Sequence, residues 1–110
     1  MPNDRFELRW YTDVKGRSPY ADWSGDMDGA TRGRIHACVQ RMTLGNFGDS
    51  KTVGSGVREL KIDFGPGYRV YYIRVGQTVI VLLCGGDKAS QAADIARAVR
   101  YANDFWSRNA

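Results

Sequence analysis

The sequence predicts an α+β domain, and three observations carry that class. Between Val57 and Lys88 (VRELKIDFGPGYRVYYIRVGQTVIVLLCGGDK) three strand-like runs follow one another, separated only by Gly65-Pro66-Gly67 and Gly76-Gln77. Strands joined by turns that short run antiparallel. The helical segments lie in blocks before and after this meander instead of alternating with its strands, which separates α+β from a doubly wound fold. The 110 residues suffice for one domain with one core. The expected order is β-α-α-β-β-β-α: a small antiparallel sheet with one face packed on helices and the other partly open.

Each element has its own signal. Phe6 to Tyr11 alternates weakly and reads as a first strand, with Phe6, Leu8 and Trp10 on one face. Thr12 to Arg17 is a loop. Ser18-Pro19 is a helix start, Ser as N-cap and Pro in the first helical position. That helix is expected to be short, because Ser24-Gly25 interrupts it after Trp23. Asp28 caps a second helix reaching about Leu44, with Ile35, Val39 and Met42 on one face and Gly45 beyond its end. Asn46 to Gly56 (NFGDSKTVGSG) is polar and glycine-rich and is expected to be a surface loop. The meander strands are placed at about Val57–Phe64, Tyr68–Val75 and Thr78–Cys84. The third is apolar at nearly every position, so it should be central and buried on both faces. Gly85-Gly86-Asp87 is expected to turn the chain into a last helix from about Ser90 to Trp106, with Ile95, Val99, Ala102 and Trp106 as its apolar stripe.

Composition narrows the function classes. The net charge is +4 and the pI about 9.3, a mild basicity that permits an acidic partner without requiring one. No apolar run approaches the length of a membrane span, and no secretory leader pattern opens the chain, so a cytoplasmic, non-membrane protein is expected. Cys38 and Cys84 are isolated in apolar segments and His36 is the single histidine, so no metal-ligand spacing exists and no metal or cofactor is expected. The glycines of GPG and CGGD lack the spacing of a phosphate-binding fingerprint. The start of the last helix, Asp87–Ser90, offers N–H groups to a phosphate, though capping explains it more simply.

Alternation divides the meander strands between two faces. Leu60, Ile62 and Phe64 lie together, opposite Glu59, Lys61 and Asp63. Tyr68, Val70 and Tyr72 share a side, opposite Arg69 and Tyr71. If the apolar sets face the helices, Glu59, Lys61 and Arg69 converge on the open face, with Lys88 within reach of its rim. Fixed cations beside one carboxylate suit RNA cleavage without metal. A 2′-hydroxyl loses a proton to a base, negative charge builds on phosphorus, and cations stabilise it. Arg58, Tyr71 and Arg74 extend this into a candidate RNA-binding surface, a tyrosine stacking on bases. Composition alone favours the simpler reading, in which Glu59 and Lys61 are solvated surface charges with weak pairing.

The segments ELKID-FGPGYRVYY and LLCGGDK-SQ-DIARA, with LGNFGD-K-VG-GV and the Ser-Pro helix start upstream, resemble the addiction module killer toxins. These are HigB-like members of the RelE/ParE superfamily of type II toxin–antitoxin systems. The resemblance runs through nearly the whole chain and rests on the combination of GPGYRVY, CGGDK and DIARA. It implies a RelE-like α+β fold, a cognate antitoxin encoded alongside, and metal-independent cleavage of mRNA on the ribosome. It implies that Arg69 holds the scissile phosphate, that Lys61 and Lys88 are accessory cations, and that Glu59 is the general base. Several such nucleases carry a Tyr or His in the C-terminal segment. Here Gln91–Ala96 has neither, so either stabilisation of the leaving group falls to Lys88 or Arg69, or the protein is a weak nuclease. Two other functions fit the resemblance: a ParE-like toxin that binds gyrase without nuclease activity, and an inactive relic retained as an antitoxin-binding module.

Overall fold

The structure is a computed structural model and describes residues 5–109. Its elements are β1 (Glu7–Trp10), α1 (Pro19–Gly25), α2 (Gly29–Thr43), β2 (Asp49–Gly54), β3 (Val57–Ile62), β4 (Tyr68–Val75), β5 (Val79–Gly86) and α3 (Gln91–Arg108), the last entered through a single 3₁₀ turn at Lys88–Ser90. The α+β class is as the sequence predicts. The sheet differs from the expectation in two ways: it has five strands, in the order β1-β5-β4-β3-β2, and it is mixed.

The fifth strand is β2, formed by part of the segment expected to be a loop. It pairs antiparallel with β3, from Asp49 opposite Lys61 to Gly54 opposite Val57. The two-residue turn between them, Ser55-Gly56, has positive φ at both positions (54° and 78°), the geometry that matches the twist of a hairpin. β2 is polar because it is an edge strand with little burial, so its stability comes from the ladder with β3 and not from a hydrophobic face.

The mixed character comes from β1, which lies parallel to β5, Glu7 opposite Val79 and Trp10 opposite Leu82. A parallel neighbour needs a long crossover, and residues 11–78 lie between these two strands. β5 is buried almost throughout, as its unbroken apolar run predicts, but it is an interior strand between β1 and β4, and the middle of the sheet is β4.

Helix caps follow the sequence. Ser18 Oγ accepts from the Ala21 N–H at 3.1 Å, and Asp28 Oδ1 from the Thr31 N–H at 2.7 Å. Gly45, at φ 90°, takes the left-handed position after α2. The α1 segment holds as a helix through Gly25. Asp87 and Ser90 form a reciprocal capping box before α3.

Both faces of the sheet are covered. On one, Tyr20 of α1 and Ile35, Val39 and Met42 of α2 pack against Leu60, Ile62, Val70, Tyr72, Ile80 and Leu82. On the other, Ala98 and Ala102 of α3 pack against Val57, Tyr71, Ile73, Val81 and Leu83, with Tyr11 beside them. The face expected to be open is therefore roofed by α3. The buried line of α3 runs through Asp94, Ala98 and Ala102, while Trp106 at the end of the expected stripe stands 41% exposed.

Gly85 and Gly86 are strand residues, not a turn. A Cβ at Gly85 would overlap the Trp23 ring, and one at Gly86 would overlap the Asp94 carboxylate. The two glycines let α1 and α3 close on opposite sides of the end of β5.

Candidate active site

Glu59 and Arg69 lie diagonally on adjacent strands, because Glu59 pairs across the ladder with Tyr71 and Lys61 pairs with Arg69. All four point to the α3 side of the sheet. Glu59 is 1% exposed and Arg69 7%. The roof is the reason: Gln91, first residue of α3, donates from Nε2 to Glu59 Oε2 at 2.9 Å, and the Tyr71 hydroxyl donates to the same oxygen at 2.9 Å. Glu59 Oε1 faces the other way, 3.7 Å from Arg69 Nε and 3.9 Å from Lys51 Nζ. The reading of Glu59 as a solvated surface charge is overturned by this geometry. Buried charges need partners, and this one has four.

The Arg69 guanidinium is held from its other end. Its Nη1 donates to the Gly67 carbonyl at 2.9 Å. Gly67 sits at φ 80°, and a Cβ there would lie 3.2 Å from Arg69 Nη1 and 3.6 Å from the Lys88 Cβ. Arg69 Nε is buried and makes no hydrogen bond among the described residues. A guanidinium has five N–H donors in one plane, and a buried donor left without an acceptor is costly. The nearest carboxylate oxygen to it is Glu59 Oε1, at ion-pair rather than hydrogen-bond distance. The surrounding space is an open cleft of about 240 Å³ lined by Asp49, Lys51, Glu59, Lys61 and Arg69.

The structure sorts the residues expected from sequence. Glu59, Lys61 and Arg69 share the cleft. Lys88 does not line it and stands exposed across Gly67 from Arg69. Tyr71 is fully buried, so its ring is closed to base stacking; its hydroxyl orients Glu59 instead, and burial followed by the Glu59 hydrogen bond pushes its pKa up. Arg58 and Arg74 are on the opposite face. Arg58 Nε donates to the Tyr72 hydroxyl at 3.3 Å, and the Arg74 guanidinium lies 4.8 Å from the ring centres of both Phe6 and Phe47. Tyr72, on that same face, donates to Ser50 Oγ.

Three residues of the site escaped the sequence reading: Asp49 and Lys51, which line the cleft, and Gln91, which holds Glu59. Asp49 and Lys51 fell within the expected loop. The Ser-Gly doublet after DSKTVG was the available hairpin signal. Gln91 reaches Glu59 only through the docking of α3, which leaves no local trace.

No family model matches the chain. An uncharacterized protein of Haemophilus influenzae is 45% identical over 74 residues, which make up 67% of this chain and 75% of that protein. The chain belongs to that protein's family.

Among the described residues no helix is long and apolar enough to cross a membrane, and no group of His, Cys, Asp or Glu could hold a metal ion.

Proposed function

We propose that the protein is the toxin of a type II toxin–antitoxin pair and cleaves mRNA on the ribosome. The observation that carries this reading is the buried Glu59–Arg69 pair opening on a cleft rimmed by Lys51 and Lys61. A phosphodiester entering this cleft meets the cations that line it, Arg69, Lys51 and Lys61. Glu59 Oε1 is the carboxylate oxygen turned to the cleft, since Oε2 is occupied by Tyr71 and Gln91. It takes the 2′-hydroxyl proton as that oxygen attacks phosphorus. Arg69 and Lys61 hold the charge that builds on the non-bridging oxygens. The P–O5′ bond breaks as the 2′-oxygen bonds to phosphorus, leaving a 2′,3′-cyclic phosphate. The departing 5′-oxygen takes a proton from water, with Lys88 outside the cleft lining as the nearest further cation across Gly67. A cognate antitoxin would silence the protein by covering this cleft. A gyrase-directed or inactive protein has no need of a buried arginine aimed into an open cleft.

The test must keep the domain folded. Arg69→Ala is a poor variant because it strands the buried Glu59 carboxylate, and removing one partner of a buried pair costs about 3–5 kcal/mol. The double variant Glu59→Gln/Arg69→Gln replaces the ion pair with neutral amides of similar shape. Wild type and double variant are expressed in a bacterial host, with primer extension on a reporter mRNA and circular dichroism of the purified proteins. Growth arrest with translation-dependent cuts in the wild type, both lost in a folded double variant, is the expected result. Arrest with intact mRNA redirects the reading to gyrase. Absence of arrest marks an inactive relic.

A further inference from the structure

A second cleft lies around the sheet edge from the first. It measures about 340 Å³, within the range of ligand-binding clefts, and is lined by Arg34, Cys38 and Arg41 of α2 and by Leu60, Ile62 and Phe64 at the end of β3. Asp49 and Lys61 line both clefts and form the ridge between them. The two residues are cross-strand partners, and Lys61 is in turn the partner of Arg69. One row across the sheet thus runs from the buried arginine to the mouth of the second cleft.

The second cleft has its own recognition chemistry. Arg34 and Arg41 are two turns apart on one face of α2. The Arg34 guanidinium lies over the Phe64 ring, its central carbon 4.0 Å from the ring centre, which holds the cation in place. Arg41 Nη1 touches Cys38 Sγ at 3.6 Å. The floor is apolar, and Asp49 and Asp63 offer acceptors at the edge. Fixed cations for phosphate, a flat cation–ring stack for a base, and carboxylates for exocyclic amines form a nucleotide-binding combination.

We infer that this second cleft binds the nucleotides flanking the phosphate held by Arg69, so that a single strand of RNA crosses the Asp49–Lys61 ridge. The inference rests on the proposed function and extends it. An RNA strand cannot end at the scissile phosphate. The side of the first cleft that passes over Lys61 leads directly to Arg41 and Arg34. An acidic protein segment could use the same cations, but it would have no use for continuity with the Arg69 cleft.

The test uses free protein and two 2′-O-methyl oligoribonucleotides, a dinucleotide and an octanucleotide, which bind without being cleaved. Affinity is measured by fluorescence anisotropy over a range of salt. Arg34→Gln/Arg41→Gln, both exposed positions, should weaken octanucleotide binding at least tenfold and leave the dinucleotide unchanged. Each lost phosphate contact should lower the slope of log affinity against log salt by about 0.7. Phe64→Leu should weaken the octanucleotide without altering that slope. If the arginine variant binds the octanucleotide as the wild type does, the second cleft is not an RNA subsite. That outcome is separate from failure of the proposed function, in which Glu59→Gln/Arg69→Gln would bind both oligonucleotides as tightly as wild type.

Discussion

At the residue scale the site depends on a carboxylate whose two oxygens do different things. Oε2 of Glu59 is tied to Tyr71 and Gln91, and Oε1 meets Arg69 and Lys51. The tie from Tyr71 is internal to the sheet, that from Gln91 comes from α3. Tyr71→Phe removes the buried hydroxyl donor alone. We expect a loss of about 1–3 kcal/mol, read as a lower urea midpoint with unchanged slope. If Glu59 is correctly oriented by that hydrogen bond, mRNA cleavage should fall as well. Unchanged stability and cleavage would show that Gln91 alone suffices to hold the carboxylate. The sequence placed Glu59, Lys61 and Arg69 together through period-two alternation, which is local and reliable once strands are assigned. It read Tyr71, Arg58 and Arg74 as ligand contacts because exposure is not local: Tyr71 is covered by a helix twenty residues downstream, and Arg74 is spent on two rings from the segments just before β1 and β2.

At the scale of elements, α3 decides what the sheet can do. It turns an exposed strand face into a buried ion pair with one open end. Its approach depends on Gly86, where the Asp94 carboxylate occupies the space of a side chain while bonding to Ser90 and Arg97. Gly86→Ala forces Asp94 and the start of α3 outward. Overpacking of this kind destabilises by about 1–3 kcal/mol. It should also weaken the Gln91–Glu59 contact and with it cleavage. Adding Asp94→Ala to Gly86→Ala should recover part of the lost thermal stability, since it clears the clash; no recovery would place the strain elsewhere. The helix caps, by contrast, are local chemistry, and Ser18, Asp28 and Gly45 were readable without the fold.

At the scale of the molecule, two cores share one sheet, and phenols lie in or beside both. Burial pushes the pKa of Tyr20 up to about 12, and burial with the Asp104 hydrogen bond does the same for Tyr11. Burial also raises the Cys84 thiol to about 12. Each group ionises near pH 9–10 in the unfolded chain, so between there and about pH 12 the folded state binds more protons. Stability must then fall as pH rises through that window. Thermal midpoints measured from pH 8 to 11.5 should be flat at first and drop above about pH 9–10. A flat profile to pH 11.5 would mean that these groups ionise as freely in the folded protein as in the unfolded one.

The sequence by itself determined the α+β class, the meander with its buried apolar strand, the helix caps, and the convergence of Glu59, Lys61 and Arg69 on one face. Each depends on residues close in the chain or on a fixed periodicity. Tertiary structure decided the rest: the parallel pairing of β1 with β5, the recruitment of the polar β2 to the edge, and the closing of α3 over the face that alternation had left open. These depend on contacts between segments far apart in sequence, where burial is set by what arrives from elsewhere. These arrivals made a buried, oriented pair of Glu59 and Arg69, with Gln91 of α3 bonded to Glu59 and Asp49 and Lys51 of β2 lining the cleft beside it.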